Sequence, residues 1–150
     1  MNSAIPPGRY GFDDLSVGDC IETASTIVSA EAIDTFADLT GDRFEIHMSD
    51  DAAAAHGFDA RVAHGLLVLS LVDGLKNQAP AQFKAQASLG WNWSFRAPVI
   101  AGDEVSAKIV VAEKREIEDK SRGILRLEFE AVNQRGECVQ KGENLLMVYR

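Results

Sequence analysis

Apolar and polar residues keep two different rhythms along this chain. From Leu125 to Ala131 the alternation is strict: Leu125, Leu127, Phe129 and Ala131 are apolar, and Arg126, Glu128 and Glu130 between them are charged. A period of two puts the first set on one buried face of a strand and the second in water. The same texture predicts strands over residues 86–95, 103–117, 123–133 and 137–149. Turns separate them at Pro98-Val99, at Asp119-Lys120-Ser121-Arg122 and at Gln134-Arg135-Gly136. A further strand is expected over 20–28, where Ile, Thr and Val mix with polar residues.

Elsewhere the rhythm is helical. Ser29 suits an N-cap, Ile33, Phe36 and Ala37 recur at helical spacing, and Gly41 suits a stop. Residues 50–55 predict a short alanine-rich helix with Ser49 or Asp50 at its cap, followed by a loop over 56–61. The segment 64–78 differs in kind. Leu66, Leu67, Val68, Leu69, Leu71, Val72 and Leu75 point in nearly every direction around a helix axis, which predicts a helix buried almost all round. Something must wrap it, and the predicted strands are what the chain has to offer. The expectation is one α+β domain over 1–150, with about five antiparallel strands curled around one long central helix. Residues 1–9, which include Pro6-Pro7-Gly8, are expected as a loose tail.

Composition narrows the partners. A length of 150 residues suits a single domain with a real core. The net charge of −8 leaves no basic stripe for nucleic acid or an anionic membrane. An anionic ligand would need local cations, for which Lys84 and Arg96 are candidates. No apolar run reaches the ~18 residues of a membrane span, and the N-terminus lacks the basic start and apolar stretch of a secretory signal. A cytoplasmic setting is therefore the default. Cys20 and Cys138, far apart in sequence, make no disulfide framework and read as inert thiols.

The candidate chemistry centres on Asp42 and His47. Five residues at about 100° each leave them about 140° apart, so they do not share a helix face. After a stop at Gly41 they are expected on a loop bent around one pocket. A carboxylate and an imidazole placed so can hold one water between them. The amide of Gly65 opens the predicted central helix, where N–H groups lack intrahelical acceptors and the helix dipole is positive. An acid, an imidazole and a free amide suit acid–base chemistry on an activated carbonyl compound. Plainer readings also exist: Asp42 bonding its own backbone at a helix end, His47 on a surface loop, Gly65 as a close-packing position. Three histidines at spacings of 9 and 8 form no helical zinc motif, and no metal is expected. His56 is expected in solvent. No nucleophile elbow, P-loop or dinucleotide-binding glycine pattern is present. Trp91 and Trp93, two apart on a strand, read as core or subunit-contact residues.

Three blocks then occur in order: Phe36, Leu39, Thr40, Gly41, Asp42, Ile46 and His47; Val62 to Leu67; and Phe95, Pro98, Val99, Gly102 and Asp103. Together they resemble the MaoC-like hydratases, the (R)-specific enoyl-CoA hydratase group of the hot-dog fold. Two positions depart from the group. Phe44-Glu45 stands where the group has Asn-Pro, and Asp73 stands where some members carry a small hydroxyl residue. The resemblance implies a hydro-lyase that reversibly hydrates a trans-2-enoyl-CoA to the (R)-3-hydroxyacyl-CoA. It implies Asp42 as the base, His47 as the group that orients the water, and Gly65 as the oxyanion donor. Phe44, His64, Leu66 and Asp73 become candidate substrate-binding residues, with His64 mainly positioning its turn and Asp73 excluding greasy chains or favouring a polar acyl group. The CoA thioester is the substrate, no metal or redox cofactor is needed, and at least a homodimer is expected. The alternatives are a hot-dog acyl-CoA thioesterase, or a non-catalytic module that binds acyl thioesters.

Overall fold

Gly41 takes φ +80°, a left-handed angle that glycine reaches without a steric penalty, and there the first helix stops. That helix, α1 (Ala30–Thr40), starts at Ser29, whose side chain accepts the Ala32 N–H as expected. A computed structural model describes residues 4–150. Beyond α1 come two short helices, α2 (Glu45–Met48) and α3 (Asp50–Ala55), the second capped by Ser49, and then the central helix α4 (Gly65–Gln78).

The strands are β1 (Gly8–Tyr10), β2 (Cys20–Glu22), β3 (Thr26–Ile27), β4 (Ala81–Phe83), β5 (Ala85–Phe95), β6 (Glu104–Arg115), β7 (Arg122–Val132) and β8 (Cys138–Tyr149). The main sheet runs β2-β6-β7-β8-β5, antiparallel throughout, with β3 also paired to β6. Its inner face carries Leu125, Leu127, Phe129 and Ala131 against Val68 and Val72 of α4, and all are essentially inaccessible to water. Each large side chain buried there contributes roughly 1.5–3 kcal/mol. Arg126 projects from the other face between Glu113, Glu128 and Glu143. This sheet curled around a helix is the hot-dog arrangement expected from the sequence.

Three expectations need correction. The segment Ala4 to Arg9 is no loose tail: Ile5 N–H bonds Cys20 O at 2.9 Å, and β1 pairs in parallel with β4. Residues 1–3 lie outside the described residues. The single strand over 20–28 is two, β2 and β3, because at Thr23 the ladder breaks off: its N–H still donates to Ala107 O, but its hydroxyl rather than its carbonyl takes the Ala107 N–H. The central helix is buried on one side rather than all round. Leu67, Val68, Val72 and Leu75 face the sheet, whereas Leu66 is 61% exposed and Ser70 and Asn77 are open to solvent. One curled sheet covers only one side of a helix.

Candidate active site

Three backbone segments bring the candidate residues together. The left-handed stop at Gly41 turns the chain, and Asp42 makes a local turn in which its Oδ1 accepts the Phe44 N–H at 3.2 Å. The plain backbone-bonding reading of Asp42 is thus true, yet its second oxygen remains for chemistry. His47 sits on α2 rather than on a loop, and at 8% exposure it is not a surface residue. Arg61 fastens this region: its Nε donates to His47 O at 2.7 Å, its guanidinium pairs with Asp34 on α1, and its N–H bonds Asp50 on α3.

The imidazole tautomers follow from their partners. His47 Nδ1 lies 2.6 Å from Val62 O. A carbonyl only accepts, so Nδ1 carries a proton, and in the neutral ring Nε2 keeps its lone pair. His64 Nε2 lies 2.8 Å from Asp42 O, so that nitrogen donates and the buried Nδ1 has no partner among the described residues. The two rings stack, with centroids 3.9 Å apart and planes inclined by 26°, and Phe36 packs behind His64 at 4.9 Å. His64 therefore ties the backbone of Asp42 to the ring of His47.

The departure at Phe44-Glu45 leaves this geometry intact. Phe44 has φ −56° and ψ 134° and Glu45 opens α2, the place where proline is tolerated. The Phe44 ring meets His47 and His56 edge-on, at 6.0 and 5.9 Å, and Glu45 pairs with His56 at 2.6 Å. Aromatic contacts and the Glu45–His56 hydrogen bond hold the turn that Asn-Pro would otherwise stiffen. His56 is exposed, as expected, but engaged.

Beside His47 opens an apolar cavity of about 370 Å³. Its walls include Ile46, Phe58, Val62, Val68, Phe95 and Val99, with His47, Gly65, Arg96 and Gln140 as further lining residues. A side chain at Gly65 would run into the Phe95 ring, so this position must stay open for the chain to close as it does. Its N–H is the first of α4 and has no acceptor within the helix. Gln140, buried at 2% exposure, donates to Gly65 O at 3.0 Å and accepts from the Trp93 indole N–H at 2.8 Å. Sequence reasoning missed both Gln140 and Arg61. Gln140 had a signal: the inward alternation of Val148 and Leu146 continues to Asn144, Gly142 and Gln140, which puts polar groups inside.

Of the expected substrate-binding residues, none lines this cavity. Phe44 and His64 stand behind His47, Leu66 points to solvent, and Asp73 pairs with Lys76 further down α4. Asp42 does not line the cavity either, but lies within 4.8 Å of His47, which does. Of the two candidate cations, Lys84 faces Asp14 at 3.9 Å, while Arg96 is exposed at the cavity and forms no ion pair with a described residue. Trp91 and Trp93 pack edge-on against Phe129 in the core.

One ligand atom from each of Asp42, His47 and His64 falls within 4.8 Å of the others, a grouping that sequence spacing had hidden. Such a set can meet a cation.

The described residues include no helix long and apolar enough to cross a membrane. A family profile described as "MaoC like domain" matches residues 16–133. The chain is 40% identical over 103 residues to 3-hydroxybutyryl-CoA dehydratase of Methylorubrum extorquens, covering 68% of this chain and 64% of that protein. It thus spans less than two thirds of this relative's length. It is 35% identical over 102 residues to the (R)-specific enoyl-CoA hydratase of Aeromonas caviae, covering 68% of this chain and 75% of that one. In three dimensions it resembles a protein of Archaeoglobus described as a monoamine oxidase regulatory protein. The TM-score is 0.88 at 30% identity, over 97% of this chain and 99% of that one.

Proposed function

The chain belongs to the MaoC-like domain family, and from that membership we propose that it reversibly hydrates a trans-2-enoyl-CoA to the (R)-3-hydroxyacyl-CoA. One observation carries the reading: the Asp42 carboxylate and the His47 ring lie within 4.8 Å of each other beside an apolar cavity that holds the Gly65 amide. Water sits between Asp42 and His47 Nε2. Asp42 takes its proton as the oxygen adds to C3, and the negative charge moves to the thioester oxygen, where the Gly65 N–H and the dipole of α4 stabilise it. The proton then passes to C2, with His47 orienting the water and helping the transfer. The Val62 carbonyl at its Nδ1 holds the His47 ring in that orientation.

The conjugated thioester is itself the activated electrophile, so the proposed chemistry calls on no metal or redox cofactor. Arg96 at the cavity supplies a free positive charge for the anionic CoA moiety. The setting is the cytoplasm, where both cysteines stay reduced, and the active form is at least a homodimer.

The test is the loss of enoyl-thioester absorbance from crotonyl-CoA, with wild type and Asp42→Asn side by side. Wild type should form (R)-3-hydroxybutyryl-CoA without free thiol, and the variant should lose at least about a hundredfold in turnover. Release of free CoA would make the protein a thioesterase instead. Saturable binding without turnover would make it a binding module.

A further inference from the structure

His47 is carried by a helix that cannot hold itself. α2 has four residues, and a single turn has too few internal bonds to persist alone. The carbonyls of its last turn find no N–H further along the helix. Two of them are met by neighbours in sequence: Val62 N–H donates to Ile46 O at 3.0 Å, and Arg61 Nε donates to His47 O at 2.7 Å. The carbonyl of Val62 in turn accepts from His47 Nδ1. The dipeptide Arg61-Val62 thus grips both the backbone and the ring of His47.

Arg61 is itself a fixed post. Its N–H donates to Asp50 Oδ1 at 2.9 Å, its carbonyl accepts from the Ala101 N–H at 2.9 Å, and its side chain is largely buried. The other end of its guanidinium pairs with Asp34 on α1. α1 is the helix whose left-handed stop at Gly41 delivers Asp42. One planar group therefore bonds both the helix that leads to the carboxylate and the helix that carries the imidazole. Asp34 is 54% exposed, and an ion pair so open to water contributes little to stability. Geometry explains the arrangement better, because a guanidinium presents its donors in a rigid fork.

We propose that Arg61 is a positioning residue that fixes the separation of Asp42 from His47, the gap in which the hydratase reading puts the attacking water. The inference rests on that reading for its effect on rate, but not for its effect on the His47 ring. Without the fork, α2 is free to shift against α1, and His47 moves relative to Asp42. The water between them is then held in the wrong place. A misplacement of about 1 Å slows a reaction by up to about a hundredfold, while the surfaces that bind the thioester stay as they were.

The test pairs steady-state kinetics with nitrogen NMR of the imidazoles, on wild type, Arg61→Lys and Asp34→Ala. Arg61→Lys keeps the charge but puts it on one nitrogen of a flexible stem. Asp34→Ala leaves Arg61 in place and cuts its tie to α1 at an exposed position. On crotonyl-CoA, kcat should fall by about tenfold to a hundredfold in Arg61→Lys and by about threefold to tenfold in Asp34→Ala, with KM within about threefold. In a His47→Ala background, Arg61→Lys should cost less than about twofold more, because a residue that acts through His47 has nothing left to place. The neutral His47 ring should show the single Nδ1–H form in wild type and a mixture of both tautomers in Arg61→Lys. Wild-type kcat in both folded variants would overturn the proposal, as would an equal loss from Arg61→Lys with and without His47. Crotonyl-CoA left unhydrated by wild type would count against the hydratase reading alone. The ring then still decides the proposal, since an unchanged His47 tautomer in folded Arg61→Lys would overturn it.

Discussion

At the scale of single residues, the reacting groups are set by their neighbours' carbonyls. Val62 O fixes the tautomer of His47, and Asp42 O fixes that of His64. Gln140 does the corresponding work for the proposed oxyanion donor: it holds the Gly65 carbonyl and is itself held by Trp93. Replacing it by leucine frees both groups inside a dry site. Gln140→Leu should therefore lose about 1–3 kcal/mol of stability, and kcat should fall by about tenfold to a hundredfold as the first turn of α4 drifts. Urea denaturation and steady-state kinetics on crotonyl-CoA measure the two losses separately. A folded Gln140→Leu protein with full turnover would remove Gln140 from any role in placing Gly65. Asp42, His47 and Gly65 were legible in the sequence because they lie in short motifs. The cavity wall was not, because Phe95, Val99 and Gln140 reach it only through the pairing of β5 with β8 and of Val62 with Ile100.

At the scale of elements, long periodic segments were readable and short ones were not. The four long strands and α4 each offer eleven or more residues of pattern. β1 and β4 have three residues each and α2 four, too few for any period to register. The turn between β6 and β7 illustrates what fixes an element's end. Asp119 accepts from the Ser121 hydroxyl and N–H at 2.6 and 2.9 Å and from Arg122. These bonds favour its ionised form and lower its pKa from 3.8 to about 2, the Ser121 side chain contributing most. A carboxyl with a lowered folded pKa gives stability that is complete above its unfolded value and fades as pH falls through the folded one. The denaturation midpoint of wild type should thus exceed that of Asp119→Asn by a constant margin above about pH 5, and the margin should shrink as pH falls and vanish by about pH 1. A margin independent of pH would mean that the turn depends on shape rather than on this charge.

At the scale of the whole molecule, the misjudged burial of α4 is informative. The apolar pattern over 64–78 called for cover on all sides, and one chain supplies it on one side. The main sheet also ends in β5, whose residues from Ala85 to Gly90 are exposed, Leu89 by 49% among them. A long strand with an unpaired edge and an apolar side chain is prone to pair with another such strand. A second copy meeting β5 edge to edge would extend the sheet, and the proposed homodimer needs no further surface than this edge and the open side of α4. Sedimentation of the 16.3 kDa chain at micromolar concentration should then give about twice that mass. A lysine in place of Leu89 puts an unpaired charge at the joint and should move the equilibrium towards monomer while the monomer stays folded. Because the cavity lies within one chain, the monomeric variant should retain the buried His47 and the Gly65 amide, and its residual turnover would report how much of the site a single copy completes. A wild type that sediments as a monomer would mean that the exposed leucine of α4 and the free edge of β5 serve something other than self-association.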